Sequence, residues 1–443
     1  MGTAHPLTAL VANRQGEIFE LDGYAAVGMA AARQQMLTVR ETQPLPAGSE
    51  LMYLPQRHPV LWDLRQQRLV TLKSNPYAPG EPLFPVAAFN SPGYLVTWNT
   101  AYAETPGTDF LPLFSYGAVG WHKEGFRSAV VRVDREKRQD LRYMPPDKVR
   151  AGVGTLRRKL PENRLRRHLE TCALTYGCPA GKNFFLGRFE APLPTSRACN
   201  ARCLGCLSLQ PAGNIPVSQN RLDFTPSPEE IAEVALAHIA GVKQAVVSFG
   251  QGCEGDPLLA AEVIEPAIRK IRAATSAGTI NLNTNASRPR VLARLLDAGL
   301  DSVRISINSI RPACYVAYFR PRDYGFGDVL ESLKRTLAMG KHTALNYLNM
   351  PGFTDSPQEV SALQALLEAH ALHLIQWRNL NFDPLRYHQA MAAAEPSGAP
   401  RGMAGLVNGL RRKFPGLRHG YFNPPKEKFG PGAHSPKQRG KRP

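Results

Sequence analysis

The sequence predicts an α/β protein in which a partial (β/α)6 barrel of the TIM type follows a β-rich N-terminal domain and precedes a basic, disordered C-terminal tail. Two observations predict this fold. Short apolar strands alternate with amphipathic helices between residues 195 and 384, which indicates parallel strands joined by right-handed crossovers. Earlier in the chain, short strands are separated by Gly, Pro and Asn. The 443 residues suffice for two or three domains.

The predicted organisation has five parts along the chain. They are a β-rich domain over 1–130, a basic helical linker over 131–188, the barrel over 189–385, a helical extension over 386–420 and the tail over 421–443. In the first part we predict strands at 48–54, 83–88, 94–98 and 128–132. No motif indicates what this first domain does.

The barrel part contains five predicted strands after its first one, at 244–250, 279–285, 302–308, 343–349 and 374–380. Helices are predicted near 228–241, 259–275, 288–298, 326–339 and 357–371. Two of them have clear start signals, because Ser227 and Ser356 each precede a proline and, three residues on, a glutamate. With one strand before Cys199 there are six strand–helix units, and a barrel of this kind carries its site at the carboxyl ends of the strands.

Positive charge is concentrated in two segments. Lys and Arg number 54 against 36 Asp and Glu, and residues 131–170 and 401–443 carry net charges of +7 and +10 out of a total of +18. This segregation fits contact with a polyanion such as RNA. A solvated linker helix and a tail that aids solubility explain it equally well.

The sequence also bears on cellular location. No apolar run approaches the ~18–20 residues of a membrane span, and the N-terminus lacks the basic segment and apolar core of a signal peptide. The seven cysteines are odd in number, unevenly placed and too few for a disulfide scaffold. We therefore predict a cytoplasmic protein with a metal site and no membrane contact.

The strongest chemical signal is a group of three cysteines, Cys199, Cys203 and Cys206, in one short loop after a strand. Soft thiolates select zinc, copper(I) or iron–sulfur clusters. Structural zinc takes four ligands, and no fourth Cys or His lies nearby in the sequence. A [4Fe–4S] cluster held by three cysteines leaves one iron open to a substrate or cofactor.

Over roughly residues 190–385 the sequence resembles the radical S-adenosylmethionine (radical SAM) superfamily, whose CxxxCxxC loop matches Cys199, Cys203 and Cys206. The resemblance implies an enzyme with two cofactors, a [4Fe–4S] cluster and SAM. The cluster, reduced by a partner such as flavodoxin or ferredoxin, would cleave SAM to methionine and a 5′-deoxyadenosyl radical that abstracts hydrogen from a substrate. One departure is Gly205, where the family often has an aromatic residue that packs against adenine or the cluster. Leu204 or Leu207 would replace that contact.

The resemblance also implies SAM contacts at the strand ends. Gly255, Asp256 and Pro257 are similar to the family's Gly-Glu-Pro turn that binds the SAM amino group, and Glu254 is a rival for that role. By the same resemblance the carboxylate, ribose and adenine would be contacted by Thr284, Asn285, Ser306, Asn308 and Asn349. An ordinary strand–helix loop and structural hydrogen bonds inside the barrel are the alternatives.

Six further residues near the predicted site have open roles. Cys172, Cys178, Cys253 and Cys314 would form a second iron–sulfur cluster if the fold brings them together, or else act as redox thiols or ordinary buried cysteines. Gln376 and Arg378 alternate with apolar residues on the sixth strand. They would meet the substrate inside the barrel or form a buried structural pair.

Three functions remain open from the sequence. The first is a radical SAM enzyme acting on RNA or protein, which the charge segregation slightly favours. The second is a radical SAM enzyme acting on a small metabolite or peptide, with the basic tail serving only solubility. In either enzyme the N-terminal domain and the linker could cover the radical. The third is a non-enzymatic iron–sulfur or zinc protein that senses redox state or binds nucleic acid. The ordered strand-end motifs argue against the third, because a sensor needs no SAM-binding turn.

Overall fold

A computed structural model describes residues 5–123, 125–136 and 140–430. Its N-terminal part is built from short antiparallel strands, and the four strands predicted there are found among them at slightly different bounds. The strands are β1 Thr8–Ala12, β2 Ile18–Ala25, β3 Val27–Ala30, β4 Arg33–Met36, β5 Gln43–Pro44, β6 Glu50–Tyr53, β7 Arg57–Asp63, β8 Arg68–Thr71, β9 Ser74–Asn75, β10 Ala78–Pro82, β11 Phe84–Phe89, β12 Tyr94–Val96, β13 Asn99–Thr100, β14 Tyr102–Glu104, β15 Gly117–His122, β16 Gly125–Ser128 and β17 Val130–Arg132.

Most of these strands form one sheet with the order β14-β7-β2-β1-β11-β15-β13-β3-β4, and β10-β9 and β12-β17 form two small pairs. Successive buried Leu, Val and Ala side chains along β1, β7 and β11 point to opposite faces of the sheet and join different clusters. This domain therefore has small apolar clusters of its own. The prediction of a β-rich N-terminal domain is confirmed.

Three helices follow, α1 Pro146–Lys159, α2 Arg164–Leu174 and α3 Pro179–Phe185. The sequence predicts a linker here, but the structure corrects this. Val149 of α1, Leu169 of α2 and Phe184 of α3 are buried in the same apolar core as the barrel. The apolar side of each helix therefore packs against the barrel, and only the other side carries the exposed charge.

The barrel is a parallel sheet of seven strands, which run in chain order from edge to edge. They are β18 Glu190–Pro192, β19 Val246–Phe249, β20 Thr279–Thr284, β21 Ser302–Ile307, β22 His342–Asn349, β23 Leu374–Asn379 and β24 Arg418–Gly420. The helices are α4 Pro228–Gly241, α5 Ala261–Ala274, α6 Pro289–Asp297, α7 Pro312–Phe319, α8 Phe326–Ala338, α9 Pro357–Ala369, α10 Pro384–Ala394 and α11 Met403–Lys413. None of these described helices, nor α1–α3, has the length and apolar character to cross a membrane.

The predicted partial barrel is thus confirmed, with two elements that the sequence did not reveal. The short helix α7 lies between the strand predicted at 302–308 and the helix predicted near 326–339, where no element was predicted. The seventh strand β24 has only three residues, and its sequence Arg-His-Gly lacks the apolar alternation of a strand. Both predicted helix starts are present, because the Glu230 N–H donates to Ser227 Oγ and the Glu359 N–H donates to Ser356 Oγ.

The start of the predicted disordered tail is wrong. Asn423 is buried inside the barrel, where its amide donates to Glu190 Oε1 (2.7 Å) and accepts from Gln376 Nε2 (2.8 Å). Further on, Phe429 stacks on His342 with ring centroids 4.1 Å apart. Residues 421–429 therefore pack against the barrel, from β18 and β23 to the starts of β20 and β22. The rest of the predicted tail, 431–443, lies outside the described residues.

The N-terminal domain lies across the carboxyl ends of β22 and β23. Asn349 Nδ2 donates to the Val96 carbonyl at 2.8 Å, and Asn379 bonds to both the Val96 N–H and the Tyr94 carbonyl. A buried Arg57 of β7 forms an ion pair with Asp383, just after β23, at 3.1 Å. This domain therefore covers part of the barrel end at which the site was predicted.

Candidate active site

The loop that follows β18 carries the three cysteines and is held by the end of α7. The Arg202 N–H donates to the Phe319 carbonyl (2.9 Å), and the Leu204 N–H donates to the Tyr318 carbonyl (3.0 Å). The Gln210 amide also donates to the Leu204 and Cys206 carbonyls at 3.0 Å. Helix α7, which was not predicted, thus sets the conformation of the cysteine loop.

The distances between the three thiols distinguish a site for an iron–sulfur cluster from a site for a single metal ion. Among the described residues, one group of His, Cys, Asp or Glu has three or more ligand atoms that all lie within 4.8 Å of one another. Cys199, Cys203 and Cys206 do not belong to that group. Ligands of one zinc ion lie about 3.7 Å apart, since each is ~2.3 Å from the metal. Three thiols that are more widely spaced suit a cluster, in which each sulfur binds a different iron.

Burial also shapes the chemistry of these thiols. It raises the pKa of Cys199 to about 12, with a further contribution from Asp256, and it raises the pKa of Cys203 well above its ordinary value. Arg221 Nη2 lies 3.4 Å from Cys206 Sγ. Buried thiols of this kind ionise when a metal binds them, and three soft donors fit the predicted [4Fe–4S] cluster.

The glycine before the third cysteine has a structural explanation. A Cβ atom at Gly205 would lie 3.1 Å from the Tyr318 hydroxyl and 3.3 Å from Phe382 Cβ. Aromatic side chains from α7 and from the segment after β23 thus occupy the space beside this position. We expected Leu204 or Leu207 to replace the family's aromatic residue, and the sequence did not indicate Tyr318 and Phe382.

The predicted SAM-amine turn lies against the start of the cysteine loop. The Gly255 N–H donates to the Ser196 carbonyl (2.7 Å), and the Asp256 N–H donates to the Ala198 carbonyl (2.8 Å). A Cβ atom on Gly255 would be only 1.8 Å from the Ala198 oxygen. Only glycine allows the two backbones to come this close.

Asp256 joins this turn to the end of β20. Its carboxylate accepts from Thr284 Oγ1 (2.8 Å), from the Asn285 N–H (2.6 Å) and from the Leu258 N–H (3.0 Å), just after Pro257. Burial raises the pKa of Asp256 to about 6, although these hydrogen bonds act in the opposite direction. The structure therefore brings the predicted residues together around one carboxylate, and their contacts with SAM stay predictions.

Glu254 has a different role from the one suggested for it. Its carboxylate accepts four backbone N–H groups at 2.7–2.8 Å, those of Thr195, Ser196, Gly250 and Gln251. These donors belong to the loops after β18 and β19, so Glu254 ties the two loops together. Each carboxylate oxygen accepts two of these bonds, and the predicted contact of Glu254 with the SAM amino group stays a prediction.

Two of the predicted asparagines are bonded to neighbouring parts of the protein. Asn308 is fully buried, and its amide donates to the Cys314 carbonyl (3.1 Å) and to the Tyr387 hydroxyl (3.2 Å). Asn349 is also buried and bonds to the N-terminal domain at Val96. Among the described residues, these contacts use only the amide nitrogens, because Oδ1 of both asparagines is buried without a hydrogen-bond partner. Their contacts with SAM stay predictions. Ser306 remains half-buried on β21, in register with Asn346 of β22.

Residues 193–363 match the family model of the radical SAM superfamily. This part of the chain is a radical SAM domain. The cofactors predicted from the cysteine loop, a [4Fe–4S] cluster and SAM, are those of this superfamily. The cysteine loop of this domain therefore contacts Tyr318, Phe319 and the 255–257 turn.

Curated relatives are similar to about half of the chain. The GTP 3′,8-cyclase of Heliobacterium modesticaldum is 27% identical over 229 residues, which are 50% of this chain and 62% of the relative. Molybdenum cofactor biosynthesis protein 1 of Mus musculus is 25% identical over 49% of this chain and 31% of the relative. The chain therefore spans less than two thirds of the length of either relative.

Solved structures are similar to the chain at low sequence identity. A radical SAM methyltransferase from Sphaerobacter thermophilus is 16% identical with a TM-score of 0.35, and the match covers 46% of this chain and 64% of that one. The FeFe-hydrogenase maturase HydG from Carboxydothermus hydrogenoformans is 15% identical with a TM-score of 0.34, over 62% and 73% of the two chains.

Two arginines lie on strands of the radical SAM domain beside other polar side chains. Arg304 of β21 donates to Gln376 Oε1 (2.8 Å), and Arg378 of β23 donates to Asn346 Oδ1 (3.1 Å). Burial, followed by the charge of Arg378, lowers the pKa of Arg304 to about 9. Neither guanidinium forms an ion pair with any carboxylate among the described residues, and Arg304 Nε is buried without a hydrogen-bond partner. The alternation on β23 identified Arg378 in advance, whereas Arg304 was not singled out.

Three of the four remaining cysteines come close together beside the radical SAM domain. The ligand atoms of Cys172, Cys253 and His168 all lie within 4.8 Å of one another, and Cys178 is near enough to influence both thiols. Cys314 does not join them, because it lies on α7 near Arg311. The sequence prediction missed His168. A histidine four residues before Cys172 on one helix was the signal that could have identified it.

Proposed function

We propose that this protein uses a [4Fe–4S] cluster on Cys199, Cys203 and Cys206 to cleave SAM reductively, with hydrogen abstraction from a small anionic substrate. The observation that carries the proposal is a loop of three thiols, not all within 4.8 Å of one another, that packs against the Gly255–Asp256 turn. Bound together, the two cofactors supply a 5′-deoxyadenosyl radical. The chain must then bind, orient and shield the reactants, with electrons from an external donor such as flavodoxin or ferredoxin.

In this proposal SAM lies between the cysteine loop and the ends of β19, β20 and β21. The backbone of the 255–257 turn would face the amino group, and Thr284, Asn285 and Ser306 would face the carboxylate and ribose. Asp256 is a positioning residue, since its carboxylate already accepts hydrogen bonds from Thr284 and Asn285. Its hydrogen bonds keep the turn and the end of β20 in one arrangement.

Two features favour a small anionic substrate. Arg304 and Arg378 are adjacent and half-buried, and neither forms an ion pair among the described residues, although Glu190 acts electrostatically on Arg304. An anion would offset the repulsion between the two arginines. The N-terminal domain lies over the ends of β22 and β23, which restricts access and would exclude water from the radical. One similar protein is named for an anionic nucleotide, GTP.

The alternative substrate, RNA, rests on the two basic segments. In the first of them, several arginines already face carboxylates, as in the ion pairs of Arg157 and Arg166 with Glu170 and of Arg164 with Glu230. The second segment contributes residues 421–429 to the barrel interior. These pairings reduce the charge that is free to contact phosphates, so we favour the small substrate over a macromolecule.

The cysteine triad is tested by SAM cleavage. The full chain, purified without oxygen, loaded with iron and sulfide and given SAM and dithionite, is expected to hold about four irons in the triad and to form 5′-deoxyadenosine. Cys199, Cys203 and Cys206 all changed to Ala should remove both. Cys314→Ala is the matched control and should keep both, because Cys314 is near the start of α7, whereas the cysteine loop bonds to Tyr318 and Phe319 at its end. A parent protein with no iron and no SAM binding would instead favour a zinc or redox-sensing protein.

The arginine pair is tested with anions. Arg304→Gln and Arg378→Gln should each weaken binding of GTP or inorganic pyrophosphate roughly 10- to 100-fold, since a charge-assisted hydrogen bond is worth about 1.5–3 kcal/mol. SAM cleavage without substrate should be unchanged, which separates substrate binding from cluster assembly. Arg335→Gln on the exposed side of α8 is the control. Anion binding that is undetectable in the parent, or equal in all variants, would contradict an anionic substrate.

A further inference from the structure

We infer that His168, Cys172 and Cys253, with Cys178 as the fourth ligand, bind a single zinc ion that fastens α2 to the loop after β19. This site is separate from the cysteine loop of the radical SAM domain and does not depend on the proposed reaction. Its ligands come from three parts of the chain that only the folded structure brings together.

The first two ligands are placed by one helix. His168 and Cys172 are four residues apart in α2, so their side chains lie on the same face, one turn apart. His168 Nε2 is 3.5 Å from Cys172 Sγ. Two ligands on a zinc ion, at about 2.0 Å for nitrogen and 2.3 Å for sulfur, would lie about 3.5 Å apart in a tetrahedral site. The observed distance matches this value.

The other two ligands approach from neighbouring segments. Cys253 Sγ lies within 4.8 Å of both α2 ligand atoms, although Cys253 is far from them in the sequence. Cys178 precedes the first residue of α3, and its N–H donates to the Cys172 carbonyl at 2.9 Å. Its thiol interacts electrostatically with both other thiols. One imidazole and two thiols therefore converge on one place, and the backbone bond from Cys178 to Cys172 brings a third cysteine beside them.

The composition and spacing of this group indicate which metal it takes. Three sulfurs and one nitrogen form a Cys₃His set, which is a common set for structural zinc. A four-iron cluster needs ligands that are further apart, as in the Cys199–Cys206 loop, because each ligand binds a different iron. The ligand atoms of His168, Cys172 and Cys253, all within 4.8 Å of one another, therefore favour one ion over a second cluster.

The position of Cys253 gives the ion a structural consequence. Its carbonyl accepts the Leu222 N–H at 2.7 Å, and its neighbour Glu254 holds the loops after β18 and β19 together. A zinc ion here would anchor α2 to the segment that carries the 255–257 turn. Loss of the ion is expected to lower the melting temperature of the full chain.

Metal analysis of the full chain tests this site. The background is the protein with Cys199, Cys203 and Cys206 changed to Ala, so that any remaining metal belongs elsewhere. We expect one zinc per chain, lost in the further variants Cys172→Ala and Cys253→Ala and retained in Cys314→Ala. Replacement of zinc by cobalt(II) should produce the thiolate charge-transfer and visible bands of a tetrahedral site. This second measurement needs no substitution among the four ligands.

Several results would overturn the inference. They are absence of both zinc and cobalt uptake, zinc that is unaffected by Cys172→Ala, and iron with equal sulfide in the background protein, which would indicate a second cluster. A metal-free Cys172–Cys253 disulfide found by mass spectrometry would also overturn it. Failure of SAM cleavage in the parent would leave the zinc content unchanged, so the two proposals fail independently.

Discussion

Gly255→Ala is expected to weaken SAM binding by roughly 100-fold, which corresponds to about 3 kcal/mol, the upper range for overpacking a tight contact. The new Cβ atom would lie 1.8 Å from the Ala198 oxygen, far inside contact distance. One backbone must therefore move, and the hydrogen bonds from Gly255 to Ser196 and from Asp256 to Ala198 would break or lengthen. The measurement is equilibrium binding of SAM to the iron-loaded full chain.

Gly327→Ala is the control for this substitution. Gly327 lies in α8, and a Cβ atom there would meet nothing within 4 Å. Alanine favours helix by up to about 1 kcal/mol over glycine, so this variant should bind SAM normally and unfold at the same or a higher temperature. If Gly255→Ala bound SAM as tightly as Gly327→Ala, the close contact of turn and cysteine loop would not exist in the working protein.

Asp383→Ala is expected to lower the free energy of unfolding by about 3–5 kcal/mol, the usual cost of removing one partner from a buried ion pair. The Asp383 carboxylate is fully buried and accepts from Arg57 Nη2 (3.1 Å) and from the Tyr102 hydroxyl (2.8 Å), both in the N-terminal domain. It also accepts from the backbone of Leu385 and Arg386 at the start of α10. One substitution would therefore weaken both the domain contact and a helix start.

Urea denaturation at neutral pH measures this effect, and Glu331→Ala is the matched control. Glu331 pairs with Arg335 on the exposed face of α8, where such a pair contributes up to about 0.5 kcal/mol. Arg57 keeps its second partner, Glu104, in the Asp383 variant, so some residual order at the interface is expected. A loss as small as that of Glu331→Ala would mean that the two domains do not share this buried pair.

The barrel and the cysteine loop could be predicted from the sequence because both depend on local patterns. A strand–helix alternation needs only the periodicity of apolar residues, and the predicted strands on either side of Cys253 and Cys314 agree with the structure to within a few residues. The thiols of Cys199, Cys203 and Cys206 are close in sequence, so one loop keeps them together whatever the rest of the fold does.

The direction of side chains at the strand ends could not be predicted in the same way. Asn308, Asn349 and Glu254 all follow strands and looked suited to a cofactor. Each is bonded to a part of the protein that the sequence did not indicate, namely α10, the N-terminal domain and the backbone of two loops. A polar group near a strand end bonds to whichever partner is nearest after folding, and a sequence pattern does not contain that information.

The sequence by itself determined the strand–helix units of the barrel, the three-cysteine loop and the turn at Gly255. Each of these depends on residues that are close to one another in the chain. Only the tertiary structure decided that α2 and the loop after β19 meet at Cys172 and Cys253, and that residues 421–429 fill the barrel. It also placed the N-terminal domain over the strand ends. The physical reason is that these contacts join segments far apart in the chain, and their free energy comes from burial and hydrogen bonds that exist only once the chain is folded.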